Sequence, residues 1–367
     1  MLQYIVKRIL LFIPALLVIS LVAFIINTQA PVDPAERLVN ASIGTAEVYK
    51  LDRQKIIDQK RKELGLDLPV FYFNVSSLDH SDATKQGRGK YVPVIHFFGT
   101  KNQYHKWVSN IILHGDFGTS YESQLPVVNE ILSHLPWTLL LTFLSTLLAF
   151  GVSIPIGMYA AENKGRFFDK FSSAGLFILF SLPNFFVASM LLVFFANPQF
   201  FGWFPESGVQ DAVNFNDNWS IWVKIAHWAP YLVLPLIAYT YSSFAFLSRQ
   251  MRAGALEIFD QEYITTARAK GLPEGKILWK HVFRNSLAPI ITAFANAFPA
   301  AVTGSIIVET LFSIPGMGRE IYQAVLNYDY PVIVAIFMIM GLLSLTGYLV
   351  SDIIYAITDP RVSFSKK

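Results

Sequence analysis

The chain has 367 residues, of which 53% are hydrophobic and only 15% are charged, with a net charge of +3. A soluble domain usually carries about 25% charged residues, so this composition excludes an ordinary soluble protein and indicates a membrane protein. The small net charge gives no indication of nucleic-acid binding, and the absence of cysteine excludes disulfides, thiolate metal sites and cysteine nucleophiles.

Several segments are apolar over the length of about 20 residues that a helix needs to cross a bilayer. The first follows two basic residues, as a signal peptide does, but its length and its poor cleavage site favour a retained anchor helix over residues 1–27. We therefore predict an all-α polytopic membrane protein with six transmembrane helices. The predicted spans are Ile9–Ile26, Pro136–Ala161, Phe171–Ala196, Ala229–Leu247, Ser286–Ile307 and Pro331–Ile357.

Residues 28–135, which separate the first two predicted spans, are predicted to form a small external domain of mixed structure. Asp52–Leu64 has the pattern of a helix. Val70–Val75 and Tyr91–Phe98 are rich in the aromatic and β-branched residues that favour strands. The polar, glycine-containing stretch Ser76–Lys90 between them is predicted to be a loop.

Basic residues gather in four places and set the predicted orientation of the spans. Positive residues in short loops favour the cytoplasmic side. Both termini, including the tail 361–367, and the loop 249–285 are therefore predicted to be cytoplasmic. Residues 136–360 are predicted to form the core of five transmembrane helices. The basic groups are Lys7 and Arg8, Lys164–Lys170, Arg249–Arg284 and Arg361–Lys367.

Charged residues are absent from the middle of every predicted span, and Asp352 lies near the cytoplasmic end of the last one. Ion-coupled transporters and intramembrane enzymes usually need buried ionisable side chains at that depth, so both classes are disfavoured. The prolines in the spans are either ordinary kinks or bends used in gating. We expect no catalytic residue, no metal site and no cofactor, since the external histidines lack metal-ligand spacing: His80, His96, His105 and His114.

The stretch Glu262–Asn285 in the predicted cytoplasmic loop is polar, basic and rich in small residues. Gln261–Lys270 is predicted to form a short helix, which Gly271 ends in a left-handed conformation. Pro273 then suits the first position of a second helix. The small residues and positive charge suggest a docking surface for another protein, while a solvated hairpin that obeys only the orientation rule remains the alternative.

Taken together, several short motifs make the chain resemble the permease subunits of the oligopeptide/dipeptide/nickel class of ABC importers. Each motif is weak alone, and their shared order and spacing carry the resemblance, which covers nearly the whole chain. The motifs are Tyr4-x-x-Lys7-Arg8-Ile9-Leu10, His114-Gly115-Asp116-Phe117-Gly118, Thr266-Ala267-Arg268-Ala269-Lys270-Gly271-Leu272, Val308-Glu309-Thr310-Leu311-Phe312, Pro315-Gly316-Met317-Gly318, Asp329-Tyr330-Pro331 and Asp359-Pro360-Arg361.

The resemblance implies a type I ABC importer permease fold and two groups of functional residues. One group couples the permease to its ATPase, and the other lies in an external loop with a gating role. The implied coupling residues are Glu262, Tyr263, Thr266, Ala267, Arg268, Ala269, Lys270, Gly271 and Leu272. The implied gating residues are Glu309, Pro315, Gly316, Gly318 and Asp329.

Two departures from the family pattern bear on these roles. Thr265–Ala267 stands where the general importer motif has Glu-Ala-Ala, so a role that needs a carboxylate at Thr265 is in doubt. The external insertion around Ser76–Asn110 is either a contact for a binding protein or a variable surface elaboration.

The resemblance further implies a multi-pass subunit of the inner membrane that lines half of a pore, with a paralogous permease lining the other half. Cytoplasmic ATP-binding subunits, an external solute-binding protein and membrane lipid are the implied partners, with no nucleic acid. No Gly-x-x-x-x-Gly-Lys-Ser/Thr loop occurs, so we expect a transport subunit and not an enzyme. The predicted cargo is peptides or peptide-like solutes; the alternatives are nickel or another small solute, an ATP-independent transporter, and a purely structural docking subunit.

Overall fold

The structure is a computed structural model that describes residues 2–29, 33–43, 50–77, 93–211, 214–287, 289–294 and 304–358. Its helices are α1 (Leu2–Thr28), α2 (Pro34–Ile43), α3 (Lys50–Leu64), α4 (Gln103–His114), α5 (Val127–Glu162), α6 (Phe167–Ser181), α7 (Asn184–Leu191), α8 (Ile221–Phe259), α9 (Glu262–Ala269), α10 (Glu274–Lys276), α11 (Phe283–Asn285), α12 (Ile306–Leu311), α13 (Met317–Leu326) and α14 (Tyr330–Thr358). Two π-helical turns, Leu192–Ala196 and Ile277–Val282, follow α7 and α10, and the strands are β1 (Phe73–Ser77) and β2 (Pro93–Phe97).

The chain forms two compact units, and several long helices contribute residues to both. The first unit contains Met1–Ile13, Leu132–Tyr322 and Ile339–Lys367. The second contains Pro14–Ile131 and Gln323–Met338, and so includes most of the predicted external domain.

Helices α1, α5, α8 and α14 are long and apolar enough to cross a membrane, and the bent pair α6–α7 is a further candidate span. They correspond to five of the predicted spans. The remaining predicted span, Ser286–Ile307, includes residues 295–303, which lie outside the described residues. Its described helical parts are residues 289–294 and the start of α12.

The predicted span Phe171–Ala196 is not one straight helix, which corrects the expectation from the sequence. It is broken after Ser181, and its halves meet at an angle of 94°. Pro183 lies at the break, where its ring lacks the N–H that would continue a helix. The hydroxyl of Tyr241 on α8 donates to the free carbonyl of Leu182 over 2.9 Å, which satisfies a backbone group that the break exposes.

Helix α8 also differs from the expected arrangement, because it continues to Phe259, well past the predicted end at Leu247. Residues 249–259 of the predicted cytoplasmic loop are therefore helical. On this extension Arg252 forms a two-pronged ion pair with the buried carboxylate of Asp169 on α6, over 2.6 and 2.8 Å. The pair joins α6 to α8.

Helices α5 and α8 approach each other closely at Gly157. A methyl group at this glycine would lie only 2.6 Å from the carbonyl oxygen of Ser248 and 2.7 Å from the Cβ of Met251. Small residues permit such approaches between membrane helices.

Gly157→Ala is expected to lower the free energy of unfolding by about 1–3 kcal/mol, because the added methyl forces two packed backbones apart. Thermal denaturation of the detergent-purified protein measures the change. Gly175→Ala on α6 is the matched control, since nothing lies within 4 Å of its Cβ position. Equal melting temperatures for the Gly157 variant and the wild type would contradict the close packing.

The second unit has an aromatic core at the C-terminal end of α1. The ring of Phe24 lies 5.3–5.5 Å from those of Phe71, Tyr104 and Trp107, and Ser20 shares a hydrogen bond of 2.8 Å with the Tyr104 hydroxyl. Aromatic pairs at such distances add to the free energy gained from burial.

The helix and the two strands predicted within residues 28–135 are present, although the first strand begins at Phe73 and not at Val70. Helix α3 ends at Leu64, as predicted. Strands β1 and β2 pair antiparallel with Phe73 opposite Phe97. The strand continues through Ser77, so the predicted loop begins later than Ser76. The rest of that loop, residues 78–90, lies outside the described part of the chain.

Candidate functional site

The predicted coupling helix exists as α9, and its end has the geometry that the sequence indicates. Gly271 has a φ of +74°, in the left-handed region that favours glycine. Its N–H donates to the carbonyl of Arg268 over 2.9 Å, and the N–H of Leu272 donates to that of Ala267 over 3.3 Å. These two bonds define a Schellman motif, which ends a helix sharply.

Helix α9 has one buried face and one exposed face. Ile264 and Ala267 are buried in a core cluster with Met158 of α5 and Met251 of α8. The half-buried Leu272 packs against the same cluster. The other predicted coupling residues are exposed: Glu262, Tyr263, Thr266, Arg268, Ala269, Lys270 and Gly271. Ala267 and Leu272 therefore hold the helix in place, while the exposed set forms a surface that another molecule could contact.

An ion pair crosses the turn that follows α9. Arg268 donates to both carboxylate oxygens of Glu274, over 2.8 and 3.3 Å, and its guanidinium lies 5.6 Å from the ring of Phe259. Both charged side chains are about half exposed, so the pair contributes little stability and mainly fixes the shape of the turn. Pro273 precedes α10, one residue before the position that the sequence predicted for it.

The second helix of the predicted cytoplasmic hairpin is less regular than the sequence predicts. After α10 the chain forms a π-helical turn before α11 begins. Ile277, Leu278 and Val282 of this turn are buried in the cluster that holds α9. The exposed ring of Trp279 packs on Tyr159 at a centroid distance of 6.0 Å. The hairpin is thus anchored on α5 and α8 along both of its arms.

The first predicted gating residue, Glu309 on α12, is completely buried. Burial of a carboxylate is costly unless hydrogen bonds satisfy its oxygens. Here the side chain accepts five hydrogen bonds, three on Oε1 and two on Oε2. The donors are the hydroxyls of Thr138 (3.0 Å) and Tyr239 (2.9 Å) and the backbone N–H groups of Ser305 (3.4 Å), Gly318 (2.7 Å) and Arg319 (3.1 Å).

The turn between α12 and α13 closes around this carboxylate. Gly318 and Arg319 lie in the first turn of α13, whose free N–H groups favour a negative charge. A methyl group at Gly316 would lie 2.5 Å from Glu309 Oε2, and one at Gly318 would lie 2.9 Å from it. The half-buried Pro315 belongs to the same turn. The structure therefore brings four of the predicted gating residues together.

The fifth predicted gating residue, Asp329, belongs to the second unit and has its own partners. It is 2% exposed, and its Oδ2 accepts from the hydroxyl of Ser120 over 2.5 Å and from the N–H of Glu122 over 3.3 Å. Burial, and secondly the charge of Asp329, raise the pKa of Tyr121 above its ordinary value. This carboxylate fixes the loop that precedes α5 against the start of α14.

Two residues that donate to Glu309 were not predicted from the sequence as site residues, namely Thr138 and Tyr239. Thr138 lies within α5 and gave no distinctive signal, because small polar residues are common between packed membrane helices. Tyr239 gave no signal, because an aromatic residue in an apolar span is usually packing. The role of Tyr239 is visible only in the structure, where its hydroxyl donates to Glu309, a residue 70 positions later in the chain.

A model of the family described as "binding-protein-dependent transport system inner membrane component" matches residues 153–364. The oligopeptide transport system permease protein AppB of Bacillus subtilis (strain 168) is 35% identical over 365 residues, covering 99% of this chain and 100% of AppB. The inner membrane ABC transporter permease protein YejB of Escherichia coli O157:H7 is 34% identical over 370 residues, covering 98% of each protein.

A solved inward-facing structure of the MetNI methionine ABC transporter matches with a TM-score of 0.49 and 18% identity, over 63% of this chain and 96% of that one. The relatives match nearly the whole chain, and the family match includes both α9 and Glu309. The chain therefore belongs to the family of binding-protein-dependent transport system inner membrane components, and it is a multi-pass permease subunit of an ABC importer.

Proposed function

We propose that this chain forms half of the pore of a peptide importer, with a paralogous permease subunit forming the other half. Separate cytoplasmic ATP-binding subunits would receive the exposed face of α9. The observation that carries the proposal is the division of α9 between an exposed surface and a face buried against α5 and α8. Both termini would lie in the cytoplasm, on the same side as α9.

The packing of α9 suggests how ATP hydrolysis would drive the pore. Ile264 and Ile277 are fully buried, and both contact the cluster formed with Met158 and Met251. Close-packed interiors transmit displacement because they have little room to deform. A movement of the ATPase against α9 would therefore shift α5 and α8 together, as in other packed two-state elements.

The absence of a Gly-x-x-x-x-Gly-Lys-Ser/Thr loop that would cradle a nucleotide supports the proposal of a separate ATPase. An external binding protein would deliver the cargo. Peptides are the proposed cargo because AppB is an oligopeptide transport permease and the predicted spans carry no charge in their middle. A nickel or other small-solute importer of the same class is the alternative.

Affinity purification of the tagged chain from mild detergent, followed by mass spectrometry, tests the assembly. We expect an ATPase and a second permease to co-purify. The purified complex is then reconstituted into liposomes with its binding protein, and uptake of a radiolabelled peptide is measured. Uptake that persists without ATP, or a chain that purifies folded and alone, would refute the proposal.

Exchange of the binding protein tests where specificity resides. With the same permease pair, we expect the preferred cargo to change with the binding protein, because the predicted spans offer no charge in their middle to select among side chains. The measurement is competitive uptake of two labelled peptides with each binding protein. A preference that stays constant after the exchange would place specificity in the permeases instead.

A further inference from the structure

A cavity of about 410 Å³ lies among α5, α6, α8 and helical residues 289–294, all within the first unit. None of the described residues that line it is charged. Its polar lining consists of hydroxyl groups from two helices, namely Ser145 and Thr146 of α5 and Tyr239, Ser242 and Ser243 of α8. Aromatic and aliphatic side chains supply the rest.

The hydroxyl groups in this cavity differ in their availability. Ser145 donates to the carbonyl of Thr142 over 3.0 Å, and the Tyr239 hydroxyl is engaged with Glu309. By contrast, the half-buried side chains of Thr146, Ser242 and Ser243 form no hydrogen bond within the part of the chain that the structure describes. With respect to the described residues, each can donate one hydrogen bond and accept others.

A serine or threonine hydroxyl within a helix can bond to a backbone carbonyl one turn earlier, but these three do not. Three such hydroxyls facing one cavity provide mixed donor and acceptor capacity without any charge. The chemical group that matches this capacity is the amide, which presents an N–H and a C=O at every residue of a peptide. The rings of Phe180 and Phe246 provide apolar surface beside the hydroxyls.

We propose that this cavity is the surface on which the subunit binds the main chain of a peptide during its passage, through the hydroxyls of Thr146, Ser242 and Ser243. The proposal rests on the proposed function and adds the contact residues and the mode of recognition. Recognition of the main chain explains how one passage serves peptides of different side chains. The aromatic rings accommodate apolar side chains, and the lack of charge favours neither sign.

Direct contact is tested by cross-linking, for which this chain is well suited because it contains no cysteine. Thr146→Cys and Ser243→Cys are incorporated into the complete importer, with its other subunits free of cysteine. A short peptide that carries a maleimide on one side chain is then transported. We expect ATP-dependent cross-linking at both positions and none in Ser181→Cys, an exposed residue of α6 outside the cavity.

A charge introduced into the cavity provides an independent test. Ser243→Lys is expected to lower the uptake of cationic peptides relative to anionic ones by about tenfold, because like charges repel strongly outside bulk water. Ser243→Met has a side chain of similar length without the charge, so it should leave the ratio of the two uptakes unchanged. A change in packing alone would affect both peptides equally.

The results distinguish a failure of peptide binding in the cavity from a failure of the proposed importer function. If the cysteine-free importer transports peptide with ATP but neither cavity position cross-links, the cavity is not the binding surface and the importer remains. If Ser243→Lys leaves the ratio of cationic to anionic peptide uptake unchanged, the same conclusion follows. If the cysteine-free importer transports no peptide with any binding protein, the proposed function itself fails.

Discussion

Glu309→Gln is expected to abolish most ATP-driven uptake and to destabilise the subunit. The new amide nitrogen donates hydrogen bonds and cannot accept them, so it faces groups that also donate. At least two buried donors lose their acceptor, at a cost of about 1–3 kcal/mol each. Since about 1.4 kcal/mol changes an equilibrium tenfold, we expect uptake to fall by tenfold or more.

The measurements for this variant are thermal denaturation in detergent and peptide uptake in liposomes. Glu206→Gln is the matched control, because Glu206 is an exposed carboxylate of the same unit. Its stability should change by less than about 0.5 kcal/mol. Glu309→Asp retains the acceptor but shortens its reach, so an intermediate loss is expected. Normal stability and uptake in Glu309→Gln would show that the donors around Glu309 do not depend on its charge.

Gly271→Val is also expected to have a large effect, on coupling to the ATPase and not on insertion into the membrane. A Cβ at Gly271 would meet nothing within 4 Å, so the substitution causes no clash. The φ of +74° is the difficulty, because a β-branched residue avoids the left-handed region at a cost of about 1–2 kcal/mol. The turn should therefore change shape, and both ATPase association and peptide uptake should fall severalfold.

Two further variants make the test of Gly271 specific. Gly275 also has open space around its Cβ position but lacks a positive φ, so Gly275→Val should leave coupling nearly unchanged. Gly271→Asn should retain most activity, since asparagine tolerates the left-handed region. Co-purified ATPase, measured against an equal amount of inserted subunit, is the readout. Normal coupling in Gly271→Val would remove α9 from the proposed interface.

The sequence predicted best those features that depend on local chemistry. The end of α3, the strands and the turn at Gly271 each follow from residues that are neighbours in the chain. Glycine, proline and β-branched residues restrict the backbone directly, so their effects can be read without the fold.

Features that depend on distant contacts were predicted less well. The extension of α8 to Phe259 passes through polar residues that resemble a loop, and it is stabilised where Arg252 meets Asp169. Two of the five donors around Glu309, Thr138 and Tyr239, come from distant parts of the sequence, and only tertiary packing brings them to the carboxylate. The prolines of the spans were predicted to kink or bend them, but the size of the 94° bend after Ser181 was not, because a proline in a membrane helix produces anything from a slight kink to a complete break.

The position of the donors around Glu309 has a consequence for the biosynthesis of the subunit. Thr138 and Tyr239 are synthesised well before Glu309, and Gly318 and Arg319 leave the ribosome after it. Until that last segment folds back, a nascent chain carries a carboxylate with incomplete partners next to an apolar core. We therefore expect closure of the turn at Pro315 to be a late step, which requires α5 and α8 to be in place already. A chain shortened before Gly318 is expected to be recognised as unfinished and degraded.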